Sequence, residues 1–345
     1  MLNERFAYNG TQNHVPMKPE SITARDDFLK NLDIDSNLEQ QNCYLCRNEK
    51  FKIVSSIDRY GFYYPTAICQ RCGNIQQSHY YDEKTLVEFY TNYYRKIYGN
   101  TAPTALYNSQ KNNTGKKIYK IVSEIKRPKN VLEIGCGAGG NLAVFSDAGS
   151  QVLGLDFDGE FLDIARANKI NVKRGSTELL DENDKFDLII LSHVLEHIVE
   201  PAEFLKEVVS FLNDGGLLYI EVPSVDRVAE GGYDFDLLNY FQNAHTIHFT
   251  TKTLEMMCKS VGLRPLYQTN FIESCWTKYE IVGELSASEL IENVNFSEEL
   301  LNLAERRRRS YKAVIQKYRN KFRSGVIEIL DSIGLKNVIK SILRK

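Results

Sequence analysis

Three groups of residues in this 345-residue chain have the types and spacing that chemistry needs. Cys43-x-x-Cys46 and Cys69-x-x-Cys72 form two C-x-x-C pairs. Each pair can fold into a knuckle that offers two thiolates, and two knuckles close a tetrahedral shell around one zinc ion, with no open position for catalysis. Gly73, directly after the second pair, suits the turn a knuckle needs. Residues 131–140 read VLEIGCGAGG, an apolar run carrying Glu133, followed by Gly135, Gly137 and Gly140 at the spacing G-x-G-x-x-G. Asp156 follows Gly135 by 21 residues, where an acid can accept bonds from both hydroxyls of a ribose. The third group is histidine: His193 and His197 at i and i+4 in SHVLEH, and His245 and His248 in NAHTIHF. Imidazole is the side chain poised to take a proton near neutral pH. As a metal pair, His193 and His197 need a third ligand that the sequence does not identify.

The glycine spacing alone fits a dinucleotide pyrophosphate on a helix N-terminus. Glu133 argues otherwise. A carboxylate two residues before Gly135 would repel a pyrophosphate, and it suits a ligand with an ammonium group. S-adenosylmethionine carries a sulfonium, an amino acid head and a ribose but no phosphate, so the loop reads as a site for that cofactor.

These residues need a frame, and the pattern around them supplies one. Strand-like runs (NVLEIG, QVLGLD, NVKRG, FDLIILS, LLYIEVPS) alternate with helical ones, with further strands expected near 264–282. Alternation of this kind predicts an α/β fold with a doubly wound, mostly parallel, Rossmann-like sheet. A helix is expected to lead in over about 115–125. The chain divides into a polar arm (1–40), a four-cysteine zinc ribbon (41–77), a tyrosine-rich helical connector (78–114), the α/β domain (115–285) and a helical tail (286–345).

In order, VLEIGCGAGG, GLD, FDLIILSHVLEH and GGLLYIEVPS resemble a class I S-adenosylmethionine-dependent methyltransferase over roughly residues 115–285. The resemblance implies that Gly135 and Gly137 let the backbone approach the methionine part of the cofactor and that Asp156 binds its ribose. It also implies that Ser176 and Thr177 flank the adenine, and that Ser192 and His193 lie beside the transferred methyl group. A zinc ribbon ahead of such a domain is similar to sugar methyltransferases of polysaccharide and deoxysugar biosynthesis, and also to some ribosomal RNA base methyltransferases. FYTNYYRKIY and QKNNTGKKIY, with Gln110 and Gly115, match the sugar group. NAHTIHF resembles the E-H-x-x-Y-F-S segment of nucleotide-sugar C-methyltransferases, which implies His245 as a proton acceptor. Ala244 stands where those enzymes carry glutamate, which counts against C-methylation. The position after the fourth strand reads SHVLEH rather than the N/D-P-P-Y type of base N-methylating enzymes.

The expectation is an S-adenosylmethionine-dependent enzyme that O-methylates a sugar hydroxyl in glycan biosynthesis, with His245 and His193 as catalytic candidates and residues 226–244 as a lid. RNA methylation, nucleotide-sugar C-methylation and a non-catalytic ribbon scaffold are the alternatives. A net charge of −2 provides no global field for nucleic acid. From residue 306 onward the chain holds 13 Lys/Arg against two acids, which leaves −13 on the rest. Apolar residues recur there at helical spacing, so the tail reads as a basic amphipathic helix for an anionic membrane surface or a second subunit. The start, MLNERFAYNG, has no apolar stretch of a secretory leader, which predicts a cytoplasmic protein, peripheral to the membrane if the tail binds it.

Overall fold

The computed structural model describes residues 1–10, 13–33, 37–99, 102–270, 272–279, 286–310 and 315. Its strands are β1 (Leu38–Gln40), β2 (Phe51–Ile57), β3 (Tyr63–Cys69), β4 (Ile75–Gln77), β5 (His79–Tyr81), β6 (Asn130–Ile134), β7 (Gln151–Asp156), β8 (Val172–Arg174), β9 (Phe186–Ser192), β10 (Leu212–Glu221), β11 (Ile247–His248), β12 (Leu263–Gln268) and β13 (Glu273–Lys278). Seven of them form one sheet in the order β12-β13-β10-β9-β6-β7-β8. β8, β7, β6, β9 and β10 are parallel, and β13 runs antiparallel between β10 and β12. The strand order reverses at β6, between β7 and β9, so the crevice for a ligand opens at the carboxyl ends of β6 and β9.

β6 and β9 are central strands with both faces covered, which is why VLEI and LIIL read as continuous apolar runs rather than alternating ones. One face packs Leu132, Ile189, Leu191, Leu218 and Trp276 under the helices Pro201–Ser210 and Thr251–Ser260. The other packs Val131, Leu188, Ile190 and Tyr219 under Gly115–Ile125 and Gly140–Asp147. Each of these side chains contributes about 1.5–3 kcal/mol on burial, so the sheet is a rigid platform for whatever stands at its edge.

β2, β3 and β4 form the antiparallel ribbon that carries the cysteines. Its fourth strand is β11, which pairs with β4 through Ile247↔Gln76 and His248↔Ile75. The ribbon is therefore not closed within residues 41–77; its edge is completed from the α/β region.

Residues 1–40 also differ from the expected arm. Phe6 is fully buried beside Val54 and Phe241, and the helix Pro19–Asn31 buries Ala24 and Phe28 among Phe62, Tyr81 and Phe89. Arg25, also buried, donates to the carbonyl of Tyr60. The apolar contacts here are few and widely spaced, so no periodic signal marks them. The C-terminal helix Ala287–Arg309 buries Leu301 and Ala304, and Arg307 donates to the carbonyl of Ala229 at 2.6 Å. Most of the basic stretch, 311–314 and 316–345, lies outside the described residues. Among the described residues no helix is long and apolar enough to cross a membrane.

Candidate active site

Glu133 is the penultimate residue of β6, and the chain then turns through Gly135 and Gly137 with φ of +70° and +53°, conformations that favour glycine. A Cβ on Gly135 would stand 2.5 Å from Val194 Cγ2, so the loop also needs glycine for space. Glu133 is 1% exposed. Its Oε1 accepts from Asn141 Nδ2 at 2.7 Å, while Oε2 and Asn141 Oδ1 are buried without a partner among the described residues. Burial, reinforced by the charge of Asp156 and opposed by the Asn141 bond, pushes the Glu133 carboxyl up to about 8. A buried acid with an unused oxygen beside a glycine loop fits the ammonium of S-adenosylmethionine.

Asp156 ends β7 and accepts from the backbone N–H of Gly137 at 2.8 Å and of Asp158 at 2.9 Å, which aims its carboxylate across the loop. Burial raises its pKa. Thr177 is buried after β8, and the Ser176 N–H donates to Glu178 Oε1 at 2.8 Å. Ser192 ends β9 in register with Glu221 of β10. Glu133, Gly135, Gly137, Asp156, Ser176, Thr177 and Ser192 thus all stand along one edge of the sheet.

The tyrosine-rich connector clasps that edge. Gln110 Oε1 accepts from the Gly140 N–H at 3.0 Å, and its Nε2 donates to the Cys136 carbonyl at 3.1 Å. Gln110 begins a π-turn (Gln110–Thr114), a form often found at functional sites. Arg95 pairs with Asp158 and lies over the Phe161 ring.

His193 follows Ser192 with φ +58°, an uncommon conformation for a side chain of this size. The backbone turn leaves its imidazole 57% exposed, with Nδ1 3.3 Å from Glu196 Oε1 and Nε2 3.9 Å from Glu221 Oε1. Desolvation opposes its charge, but the hydrogen bond it donates to Glu196 and the charges of Glu196 and Glu221 outweigh this and raise its pKa. Behind it, Lys117 bridges Glu221 and Glu273 at 2.7 and 2.8 Å, and Tyr219 donates to Glu221.

His245 is 5% exposed, and burial pushes its imidazole well below the ordinary value. Gln242 contacts its Nε2, and Nδ1 has no partner among the described residues. A base must meet its acceptor, and of the two catalytic candidates His193 has the accessible ring. His197 donates through Nδ1 to the Ala244 carbonyl, 2.8 Å away. His248 is held at 2.7 Å by Tyr64 Oη behind the site and pushed down to about 3 by burial, so it belongs to the core.

In the connector, the rings of Tyr90, Tyr94 and Tyr98 stack at 5.1 and 4.8 Å between centroids, and Arg59 lies over Tyr60 and Tyr98. Arg59 Nε is buried without a hydrogen-bond partner among the described residues. The 226–244 segment carries three consecutive left-handed residues, Tyr233, Asp234 and Phe235, and is tied down by Arg5 on Asp236 at 2.5 Å. Gln110, Arg59, Glu196, Lys117 and Glu221 were not picked out as site residues from sequence. Glu196 and Glu221 had a signal, being the acids in SHVLEH and at the end of the fifth strand.

The four cysteines converge between the knuckles. Cys43–Cys72 and Cys46–Cys69 Sγ pairs are each 3.5 Å apart, and all four sulfurs lie within 4.8 Å of one another. Tetrahedral zinc with bonds of about 2.3 Å sets its sulfurs roughly 3.8 Å apart, so the cluster fits the ion. Hydrogen bonds among the thiols drive Cys43 and Cys72 up and Cys46 and Cys69 down. The second knuckle turns through Gly73 at φ +75°, where a Cβ would strike the Asn293 carbonyl at 2.4 Å. The first uses Arg47 at φ +59°.

The strand order with its antiparallel β13, together with the glycine loop and the acids at β6 and β7, defines a class I S-adenosylmethionine-dependent methyltransferase domain. Residues 108–268 match the family model described as a methyltransferase domain. Among curated proteins, the ubiquinone biosynthesis O-methyltransferase of Pelagibacter ubique is 32% identical over 112 residues, covering 30% of this chain and 47% of that protein. The protein of the same name from Coxiella burnetii is 26% identical over 151 residues, covering 40% and 64%. The chain thus spans about half to two thirds of the length of these relatives. A solved O-methyltransferase family protein from Burkholderia thailandensis is 20% identical, covering 53% of this chain and 60% of that one, with a TM-score of 0.40. The names of the two curated relatives refer to a different acceptor class from the sugar expected above.

Proposed function

We propose that this protein is an S-adenosylmethionine-dependent O-methyltransferase whose acceptor is the hydroxyl of a sugar, and that its four cysteines hold a structural zinc ion. The observation that carries the reading is His193: an exposed imidazole held by a left-handed backbone at the carboxyl end of β9, with carboxylates at both ring nitrogens. When bound, the cofactor supplies a methyl group on a sulfonium. Glu133 holds the ammonium of its amino acid head, Gly135 and Gly137 admit the methionine backbone, Asp156 takes the ribose hydroxyls, Ser176 and Thr177 flank the adenine, and Ser192 lies beside the methyl. Glu196 orients His193 through Nδ1, which leaves Nε2 to hold the proton that the acceptor hydroxyl gives up. In-line alignment is the other requirement, and the connector and the 226–244 segment provide the walls that impose it.

Two features support a sugar. The surroundings of His193 are polar, with the Glu196 and Glu221 carboxylates at its ring nitrogens, which suits a polyhydroxylated ring. Arg59, with an unused buried Nε, suits a phosphate attached to that ring. The test is incubation with methyl-labelled cofactor against nucleotide sugars, polyprenylated catechols and RNA in parallel. Label transferred to the catechol or RNA and not to any nucleotide sugar would refute the acceptor; no transfer together with no binding of S-adenosylhomocysteine would refute the donor site.

A further inference from the structure

Glu196, His197 and His245 form a cluster of which proton transfer by His193 uses only the Oε1 of Glu196. Each offers one ligand atom, and these atoms all lie within 4.8 Å of one another. The residues come from the turn after β9 and from the segment ahead of β11, brought together because the Thr246 N–H donates to the Glu196 carbonyl at 2.8 Å. Two buried atoms in the cluster have no hydrogen-bond partner among the described residues: Glu196 Oε2, on a residue 1% exposed, and His245 Nδ1, on one 5% exposed. Each buried unpaired group of this kind costs about 1–3 kcal/mol, and a bound cation would satisfy both the carboxylate oxygen and the imidazole nitrogen.

The far sides of the imidazoles are already fixed. His197 Nδ1 donates to the Ala244 carbonyl at 2.8 Å, which leaves a lone pair on Nε2, 4.0 Å from Glu196 Oε1. Gln242 contacts His245 at Nε2 through its side-chain amide; with that amide turned so that its oxygen accepts from Nε2–H, the lone pair falls on Nδ1. Ligating imidazoles are held in this way, the second ring nitrogen engaged by a carbonyl or a polar side chain that sets tautomer and orientation.

We propose that Glu196, His197 and His245 bind a divalent transition-metal ion, distinct from the ion of the cysteine cluster, whose open positions take two neighbouring oxygens of the acceptor. The metal site stands on geometry alone; the acceptor clause rests on the sugar reading above. Two imidazoles and one carboxylate suit Mn2+, Fe2+ or Zn2+ and leave coordination positions free. With ligand bonds of about 2.1 Å, the three ligand atoms draw in by about 1 Å, within reach of side-chain rotation. An acceptor hydroxyl on such an ion is more acidic, and two bound oxygens fix the ring against the methyl donor. His193, beside Glu196, then receives the proton of an already polarised hydroxyl. The arrangement also gives the SHVLEH segment its third ligand, His245, 48 residues beyond His197 and beyond any local spacing rule.

The test is a titration of the full chain, its cysteine-bound metal retained, with Mn2+ followed by electron paramagnetic resonance of the free ion, and with Zn2+ by equilibrium dialysis and elemental analysis. One saturable ion per chain beyond the cysteine-bound one is expected. Glu196→Gln and His245→Gln should weaken it at least tenfold without changing S-adenosylhomocysteine binding. Melting transitions check that each variant is folded; if both buried variants unfold, His197→Gln, on a ring 26% exposed, decides by the same criterion. A folded wild type with no saturable Mn2+ or Zn2+ at this stoichiometry overturns the proposal, as do folded variants that keep full affinity. Failure of S-adenosylhomocysteine to bind wild type would count against the donor site instead and leaves the metal result to stand by itself.

Discussion

Glu133 gives the donor site a proton-linked signature. Its carboxyl is buried and pushed up to about 8 from an ordinary value near 4.5. The folded protein therefore holds a proton there that the unfolded chain releases between about pH 4.5 and 8. With more protons on the folded state, stability falls as pH rises through that window, at most about 1.4 kcal/mol per pH unit from this group, or on the order of 4–5 kcal/mol across it. A ligand ammonium reverses the preference, because it favours the carboxylate. Binding S-adenosylhomocysteine at pH 6–7 should then expel close to one proton, and affinity should rise by up to tenfold per pH unit until the carboxyl is ionised without the ligand. Calorimetry in two buffers of different ionisation heat counts the proton directly. Glu133→Gln keeps the Asn141 contact but has no charge; it should abolish the proton release, flatten the pH dependence of melting between pH 6 and 8, and weaken binding roughly tenfold to a hundredfold, the worth of a charged hydrogen bond. Tight binding in wild type with no proton released at pH 6 would refute the assignment of Glu133 to the ammonium.

His193→Ala should lower turnover about 10²–10⁴-fold while leaving S-adenosylhomocysteine affinity within a factor of two, measured by steady-state rates and calorimetry. Cys69→Ser should lower bound zinc by elemental analysis and lower the melting temperature; full zinc loss with unchanged melting would contradict a structural ion. Gly135→Ala places a Cβ against Val194 at positive φ and should cost at least 1–3 kcal/mol and weaken cofactor binding, with Val194→Ala restoring part of the stability but not the strain of φ +70°. For the basic tail, the full chain should pellet with anionic vesicles more than a truncation at about residue 310 does; equal pelleting would remove membrane binding and leave a protein contact.

The α/β sheet was legible because its strands are local and apolar on both faces: NVLEI, QVLGLD and FDLIILS appear as β6, β7 and β9. The glycine spacing and the paired cysteines were legible because their chemistry is confined to a few consecutive residues. What was not legible depends on contacts between distant segments. Phe6 and Phe28 bury against the ribbon and connector with no periodic pattern of their own, so 1–40 read as an arm. Gln110 and Arg95 reach the glycine loop and Asp158 from segments whose family likeness points to them but whose sequence does not say what they touch. His245 looked like a base from its sequence context, yet Tyr64 and Gln77 pin its backbone carbonyl and its ring is buried against Gln242, which only the tertiary structure reveals.

The pairing of β11 with β4 carries a consequence for biosynthesis. About 170 residues separate the two partners, and at 5–20 residues per second a ribosome needs roughly 10–30 s to deliver the second after the first. For that interval the nascent ribbon has its cysteines and three strands but an open β4 edge, the kind of edge that recruits stray strands. Metal capture can lock the knuckles early, while the edge waits for the α/β domain. Ribbon maturation is thus tied to the emergence of the segment that also bears His245, and a polypeptide arrested before residue 247 would carry a metal-loaded but adhesive N-terminal half.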